Sequence, residues 1–135
     1  MRRTRELCCI VAVLALVLAG GSFGADEKQV NIAGTYSCSG ENPGGKAYEG
    51  TVEITKKGDT YAIEWTLKAG DTYEGVGTLN GNILSVAWKS GNVAGLVVYK
   101  VEKGDKGPKL VGKWTGVPSD GKLLNETLTF EKAKN

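Results

Sequence analysis

Residues 60–88 read TYAIEWTLKAGDTYEGVGTLNGNILSVAW. Apolar or aromatic side chains alternate with polar or small ones in three runs, Thr60–Leu67, Thr72–Leu79 and Ile83–Trp88. Such alternation is typical of β-strands that bury one face. The runs are separated by Ala69-Gly70-Asp71 and Asn80-Gly81-Asn82, which have the composition of tight turns. This stretch therefore predicts three consecutive antiparallel strands.

The same pattern continues on both sides of this stretch and predicts an all-β domain of eight strands. Short turns cannot hold crossover connections, so each strand should pair antiparallel with the next. A meander leaves two exposed edges unless its first strand meets its last, which favours an up-and-down barrel. A two-sheet sandwich or a half-open meander is the alternative. The predicted strands are Gly34–Ser39, Tyr48–Thr55, Thr60–Leu67, Thr72–Leu79, Ile83–Trp88, Gly95–Val101, Lys109–Thr115 and Asn125–Glu131.

Alternation also divides the side chains between two faces. The threonine-rich face should meet solvent, and it holds Thr51, Glu53, Thr55, Glu64, Thr66, Glu74, Thr78, Lys100, Lys113, Thr127 and Thr129. The aromatic-rich face should form the interior, because its burial is the only large favourable contribution available. It holds Tyr36, Cys38, Val52, Ile54, Tyr61, Ile63, Trp65, Leu67, Tyr73, Leu79, Leu84, Val86, Trp88, Val97, Tyr99, Val101, Leu110, Trp114, Leu128 and Phe130.

Four glycines share the parity of the interior face: Gly50, Gly75, Gly77 and Gly112. Glycine in a strand lets the sheet coil sharply and leaves room for a neighbouring ring. A narrow barrel closed over tryptophans would need both. Bulges in a flatter sheet are the alternative reading of these positions.

The N-terminal segment has the pattern of a signal peptide. It begins with the basic sequence MRRTR and continues with an uncharged apolar run from Leu7 to Ala19. That run is shorter than the roughly 20 residues a membrane-spanning helix needs. Ser22-Phe23-Gly24 before Ala25 fits a signal peptidase site. A retained membrane anchor stays open as the alternative.

These features divide the chain into a signal peptide at 1–24, a linker at 25–33 and a β-barrel domain at 34–132. We expect an exported protein, periplasmic or secreted. The whole chain has 17 basic and 15 acidic residues, and loss of Arg2, Arg3, Arg5 and Glu6 would leave 14 of each. Because the remaining bases are all lysines without an excess, we expect no nucleic-acid partner. The same neutrality argues against an electrostatic membrane patch. We also expect no stable membrane span after cleavage.

Composition also limits the catalytic and metal-binding chemistry that the chain can support. The chain has no histidine, which removes the commonest general base and the commonest transition-metal ligand. We therefore expect no enzyme, no catalytic residues, no metal site and no cofactor. Cys38 is the one cysteine beyond the leader. A buried, unreactive thiol is the favoured interpretation, with a disulfide between two chains as the alternative.

Glu126 breaks the pattern of its strand, because it has the parity of Leu128 and Phe130 and should point inward. A buried carboxylate must be paired or hydrogen-bonded. The functional hypothesis is that Glu126, with Tyr61 and Tyr99, forms the polar end of an apolar cavity for a small ligand. Glu126 at the rim in a purely structural role is the alternative. The predicted ligand-binding residues are Glu126, Tyr61, Tyr99, Trp65, Trp88 and Trp114.

The start at Gly34-Thr35-Tyr36, the inward tryptophans and the late Gly112-Lys113-Trp114 resemble the avidin and lipocalin-like (calycin-type) small barrels. The resemblance is one of architecture and implies a barrel, with no residue matched to a biotin contact. Tyr48-Glu49-Gly50, with the runs 61–65, 73–77 and 97–99, is also similar to small exported bacterial proteins of unknown function. Some of those proteins are labelled fibronectin-binding.

These observations are compatible with two candidate functions. The first is an exported protein that binds a small apolar or aromatic ligand in an aromatic-lined barrel interior. The alternative is a cell-surface or periplasmic interaction module, an adhesin, a fibronectin-binding-like protein or an inhibitor, with an extracellular protein partner. It would work through the predicted loops at Ser39–Lys46, Lys89–Ala94 and Val117–Leu123. A sealed interior would favour this alternative.

Overall fold

A computed structural model describes residues 29–135. Each predicted strand is present, and most extend a few residues further than predicted. The predicted signal peptide lies outside the described residues. No helix between residues 29 and 135 is long and apolar enough to cross a membrane. The strands are β1 Gly34–Glu41, β2 Ala47–Lys57, β3 Thr60–Leu67, β4 Thr72–Asn80, β5 Ile83–Ser90, β6 Val93–Lys103, β7 Pro108–Val117 and β8 Leu124–Ala133.

The strands form one closed antiparallel barrel in sequence order. Strand β1 pairs with β2 on one side and with β8 on the other, so the first strand meets the last. The predicted barrel is thus confirmed, and the sandwich and half-open alternatives are wrong. Tight turns join the strands. For example, Gly58 and Gly81 adopt φ angles of 57° and 61°, in the left-handed region that glycine enters without steric cost.

The barrel has two unlike ends. At one end, which we call the closed end, Ile32 is fully buried and its carbonyl accepts a hydrogen bond from the Tyr36 hydroxyl at 2.7 Å. Tyr36 packs edge-to-face on Phe130 there, with ring centroids 5.4 Å apart. Ile32 belongs to the segment predicted as a linker, yet it packs as part of the core. The other end, which we call the open end, carries the connections 42–46, 68–71, 91–92 and 118–123.

The predicted inward face is the interior of the barrel. Its fully or nearly buried members are Tyr36, Cys38, Val52, Ile54, Tyr61, Ile63, Trp65, Leu84, Val86, Val97, Tyr99, Val101, Leu110 and Leu128. Tyr73, Leu79, Trp88, Trp114 and Phe130 are half-buried and pack against this core. Cys38 is buried and has no disulfide partner within the described part of the chain.

The outer face is less uniformly polar than predicted. Val76, Leu96 and Val98 are exposed on it, with Leu96 at 58%. In the sheet register Val76 lies opposite Ala87, and Ala87 lies opposite Leu96. These side chains therefore form an apolar stripe across β4, β5 and β6 that the alternation pattern did not predict.

Candidate functional site

A cavity of about 280 Å³ lies inside the open end of the barrel. Aromatic side chains dominate its wall, and Glu126 is the one lining residue whose side chain can carry a full charge at neutral pH. Two loops of the open end contribute Pro43 and Pro118 to the lining. The lining residues are Asn42, Pro43, Tyr48, Trp65, Leu67, Tyr73, Trp88, Val93, Ala94, Val97, Trp114, Gly116, Val117, Pro118 and Glu126.

Glu126 is held by three neutral hydrogen-bond donors. Glu126 is only 6% exposed to solvent. Carboxylate Oε1 accepts a hydrogen bond from Trp65 Nε1 at 3.0 Å and another from the Tyr99 hydroxyl. Oε2 accepts a hydrogen bond from the Tyr48 hydroxyl at 2.5 Å. Three donors on two oxygens suit the ionised carboxylate, which only accepts hydrogen bonds.

Glycines on the intervening strands allow the two tyrosines to reach this carboxylate. Gly40 of β1 lies opposite both Tyr48 of β2 and Glu126 of β8. Gly112 of β7 likewise lies opposite both Glu126 and Tyr99 of β6. A Cβ at Gly40 would overlap the Tyr48 ring, and a Cβ at Gly112 would overlap the Tyr99 ring. Each tyrosine therefore crosses a neighbouring strand through the space that a missing side chain leaves.

The site keeps its hydroxyl donors protonated. Burial, and then the neighbouring Glu126 carboxylate, raise the pKa of Tyr99 well above its ordinary value. The same causes, in the same order, raise the pKa of Tyr48. They also raise the pKa of the Cys38 thiol, which lies beside the carboxylate. Because reactivity requires the thiolate, Cys38 is an inert part of this site.

The aromatic wall is a chain of edge-to-face contacts. Ring centroids are 5.7 Å apart between Tyr73 and Trp88, and 5.9 Å apart between Trp88 and Trp114. Tyr48 joins the chain through Trp114 at 6.4 Å. Trp88 lies over Gly95 of the next strand, where a Cβ would overlap the indole. Such packing fixes the rings in place before any ligand arrives.

One polar group of this wall is unsatisfied. Trp114 Nε1 is buried and meets no acceptor at full hydrogen-bond geometry within residues 29–135. One polar neighbour is the Tyr48 hydroxyl, whose pKa the indole N–H lowers against the larger effects of burial and Glu126. Buried donors are ordinarily paired, and an exception in a cavity wall calls for an explanation. A hydrogen-bond acceptor on a bound molecule would satisfy this donor.

The structure brings together five of the six residues predicted to bind ligand. Glu126, Tyr99 and Trp65 form the hydrogen-bonded cluster, while Trp88 and Trp114 line the cavity with it. Tyr61 is buried but lies apart from them. It is the second residue of β3, near the closed end, and the Lys56 ammonium lies 4.7 Å from the centre of its ring.

Sequence reasoning missed Tyr48 as a site residue. Tyr48 has the same parity as Val52 and Ile54 on its strand, so alternation alone would have placed it inside. Its position opposite Gly40 is what carries its hydroxyl to Glu126. Tyr73 was predicted to lie in the interior, but its place in the wall of a cavity was not.

No protein-family model matches this chain, and no curated protein does. Solved structures of similar shape exist. A redesigned β-barrel superposes with a TM-score of 0.62 at 16% identity, over 75% of this chain and 92% of that one. The redesigned β-barrel mFAP1, bound to DFHBI, gives a TM-score of 0.57 at 16% identity, over 75% of this chain and 94% of that one. The barrel mFAP0, also bound to DFHBI, gives a TM-score of 0.53 at 20% identity, over 73% of this chain and 97% of that one. At these identities the likeness shows the fold alone.

Proposed function

We propose that the protein binds a small ligand in the cavity at the open end of its barrel, as an exported carrier without catalytic activity. The observation that carries the proposal is the cavity itself. It joins preorganised aromatic rings to one buried, hydrogen-bonded carboxylate, and it is partly open to solvent. Apolar concave sites with a few fixed polar groups are the usual form of small-molecule sites.

The volume fits a small ligand. The closed half of the barrel is filled by side chains such as Tyr36, Ile54 and Leu84, each fully buried. The open half retains about 280 Å³, close to the lower limit of roughly 300–1,000 Å³ for ligand pockets. A molecule of one or two rings matches this space better than a long lipid does.

Two further considerations support the proposal. Similar barrels, mFAP1 and mFAP0, have structures with DFHBI bound, so a barrel of this size is compatible with a small-molecule site. The predicted leader at 1–24, together with the resemblance to calycin-type barrels and exported bacterial proteins, supports a carrier outside the cytoplasm. The interaction-module alternative would be favoured by a sealed interior, whereas this interior is open at one end.

An NMR titration of the purified protein with 2-phenylethanol tests this proposal. The phenyl ring suits the aromatic wall, and the hydroxyl oxygen can accept a hydrogen bond from Trp114 Nε1. We expect the indole N–H signals of Trp88 and Trp114 to shift saturably. The amide signals of closed-end residues such as Gly58 should stay in place.

The matched control is Gly116→Leu. Gly116 lines the cavity, and a Cβ there would meet its nearest atom, the Ala94 carbonyl oxygen, only at 3.7 Å. The site therefore tolerates the added Cβ, and the rest of the leucine side chain should occupy the cavity, so that the indole signals no longer respond. Circular dichroism checks that the variant is folded. Equal responses in the folded variant and the wild type would refute the proposed site.

A further inference from the structure

We propose that the ligand is a small organic cation, an amine with an apolar body. This inference rests on the proposed function. The ammonium group would lie beside the Glu126 carboxylate, and the body would pack against Trp88 and Trp114.

The charge of the site is the first argument. The three groups that hydrogen-bond to Glu126 belong to Tyr48, Trp65 and Tyr99, and all three are neutral. The ion pairs found within residues 29–135 join exposed lysines to Glu49, Glu74 and Glu53, not to Glu126. Neutral donors stabilise the carboxylate without cancelling its charge. A ligand cation would cancel it.

The free acceptor capacity of the carboxylate is the second argument. An ionised carboxylate has about four lone-pair sites. Oε1 receives two donors and Oε2 receives one, so a position remains on Oε2. The Cys38 thiol interacts with the same carboxylate, but a thiol is a weak donor that a charged N–H can displace. An ammonium N–H, which makes a strong charge-assisted hydrogen bond, suits this position.

The aromatic wall is the third argument. Tyr48, Tyr73, Trp88 and Trp114 are half-buried side chains that line the same cavity as the carboxylate. Aromatic faces attract cations through the ring quadrupole, and tryptophan attracts them most strongly. A set of such rings around one carboxylate, with no lysine in the lining, is selective for positive charge.

The same geometry disfavours the other ligand classes. An anion would be placed in a low-dielectric cavity next to a buried carboxylate, where like charges repel strongly. A neutral molecule would bind the apolar wall but leave the carboxylate without a counter-charge. We therefore expect the cavity to bind a cation most tightly, a neutral molecule less tightly and an anion most weakly.

Three probes of matched shape test this order: 2-phenylethylamine, 2-phenylethanol and phenylacetate. Each is titrated into the purified protein at about pH 7, where an alkylammonium group of ordinary pKa is charged. We expect the amine to bind at least about tenfold more tightly than the alcohol, a difference of about 1.4 kcal/mol. Phenylacetate should be the weakest of the three.

The outcomes separate the two proposals. Binding of the alcohol with an affinity equal to or above that of the amine overturns the cation assignment and leaves the small-ligand site standing. Failure of all three probes to perturb the indole signals overturns both. Preference for phenylacetate overturns the charge argument directly.

Two variants test whether the Glu126 carboxylate produces the preference for the amine. Glu126→Gln should remove the preference for the amine while the alcohol still binds. Glu49→Gln is the matched control, because Glu49 is an exposed carboxylate near the same end, with its side chain 60% exposed. It should leave the preference unchanged, and loss of the preference in Glu49→Gln would assign it to surface charge instead. If Glu126→Gln does not fold, the order of the three probes on the wild type still decides the assignment.

Discussion

The Tyr99 hydroxyl donates a hydrogen bond to the Glu126 carboxylate across an intervening strand, β7. Gly112, the residue of β7 opposite both, provides the space for this contact. The relationship links the closure of the barrel to the chemistry of its cavity, because the same glycine permits the sheet to curl and the tyrosine to cross it.

Gly112→Ala should therefore destabilise the protein. The added Cβ would overlap the Tyr99 ring and approach the Val98 carbonyl oxygen at 3.0 Å. Overpacking of this kind costs about 1–3 kcal/mol, measurable as a lower urea midpoint. Gly116→Ala on the same strand is the control, because its Cβ would meet only ordinary contacts from 3.7 Å. Equal urea midpoints for the two variants would contradict this account of Gly112.

Tyr48→Phe should cost more stability than Tyr73→Phe. Both residues are half-buried tyrosines of the cavity wall. The Tyr48 hydroxyl donates to a carboxylate at 2.5 Å, and a hydrogen bond to a charged group contributes about 1.5–3 kcal/mol. The Tyr73 hydroxyl makes no hydrogen bond within residues 29–135, so its loss should change stability by less than about 0.5 kcal/mol. Thermal unfolding of the two variants, measured by circular dichroism, makes the comparison. A larger loss for Tyr73→Phe would show that the carboxylate cluster contributes little.

Alkaline pH should unfold the protein cooperatively. The pKa values of Tyr36, Tyr48 and Tyr99 are all raised from 10.0, chiefly by burial. Below that value these groups are protonated in both the folded and the unfolded chain, so their contribution to stability is constant. Above it the unfolded chain releases protons that the folded chain retains, and the free energy of unfolding falls. For Tyr99 alone the fall is about 1.4 kcal/mol per pH unit.

Absorbance at about 295 nm reports tyrosinate, and circular dichroism reports the fold, so the two are recorded together as the pH is raised above the ordinary tyrosine pKa of about 10. The buried tyrosines should ionise only as the β-sheet signal is lost. Full ionisation of all five tyrosines with the sheet signal intact would contradict the raised pKa values.

Leu84→Ala and Leu96→Ala test the assignment of faces. Leu84 is fully buried on β5, whereas Leu96 is 58% exposed on β6. Removing a buried leucine side chain costs about 2–5 kcal/mol, while the exposed site should change stability by less than about 0.5 kcal/mol. The free energy of unfolding in urea distinguishes the two. Similar losses at both positions would mean that Leu96 is covered in solution.

Alternation in the sequence was sufficient to predict the strands, their pairing and the inward face. It was not sufficient to predict where each residue lies along the barrel axis, between the closed and open ends. Tyr61 and Tyr99 share the inward face, but Tyr61 is the second residue of a strand that begins at the closed end. Tyr99 lies midway along β6, within reach of Glu126. Parity gives the side of the sheet to which a residue points, whereas position between the ends depends on the stagger of the strands.

The cavity could not be predicted for a related reason. Whether three tryptophans fill a barrel or line a space depends on the direction in which each ring lies, and Trp88 lies over Gly95. The outer apolar stripe was missed because only polar side chains were assigned to the outer face. The parity that places Val97 inside also places Leu96 and Val98 outside, and the strand register then brings Leu96 beside Ala87.

Native mass spectrometry of the protein purified from its own host tests most directly whether a ligand occupies the open end of the barrel. We expect a folded protein whose mass exceeds that of the polypeptide by one small organic molecule. The same preparation of Gly116→Leu should show the polypeptide alone. The mass of the polypeptide alone for both the wild type and the variant, or the same adduct on both, would contradict the proposed site.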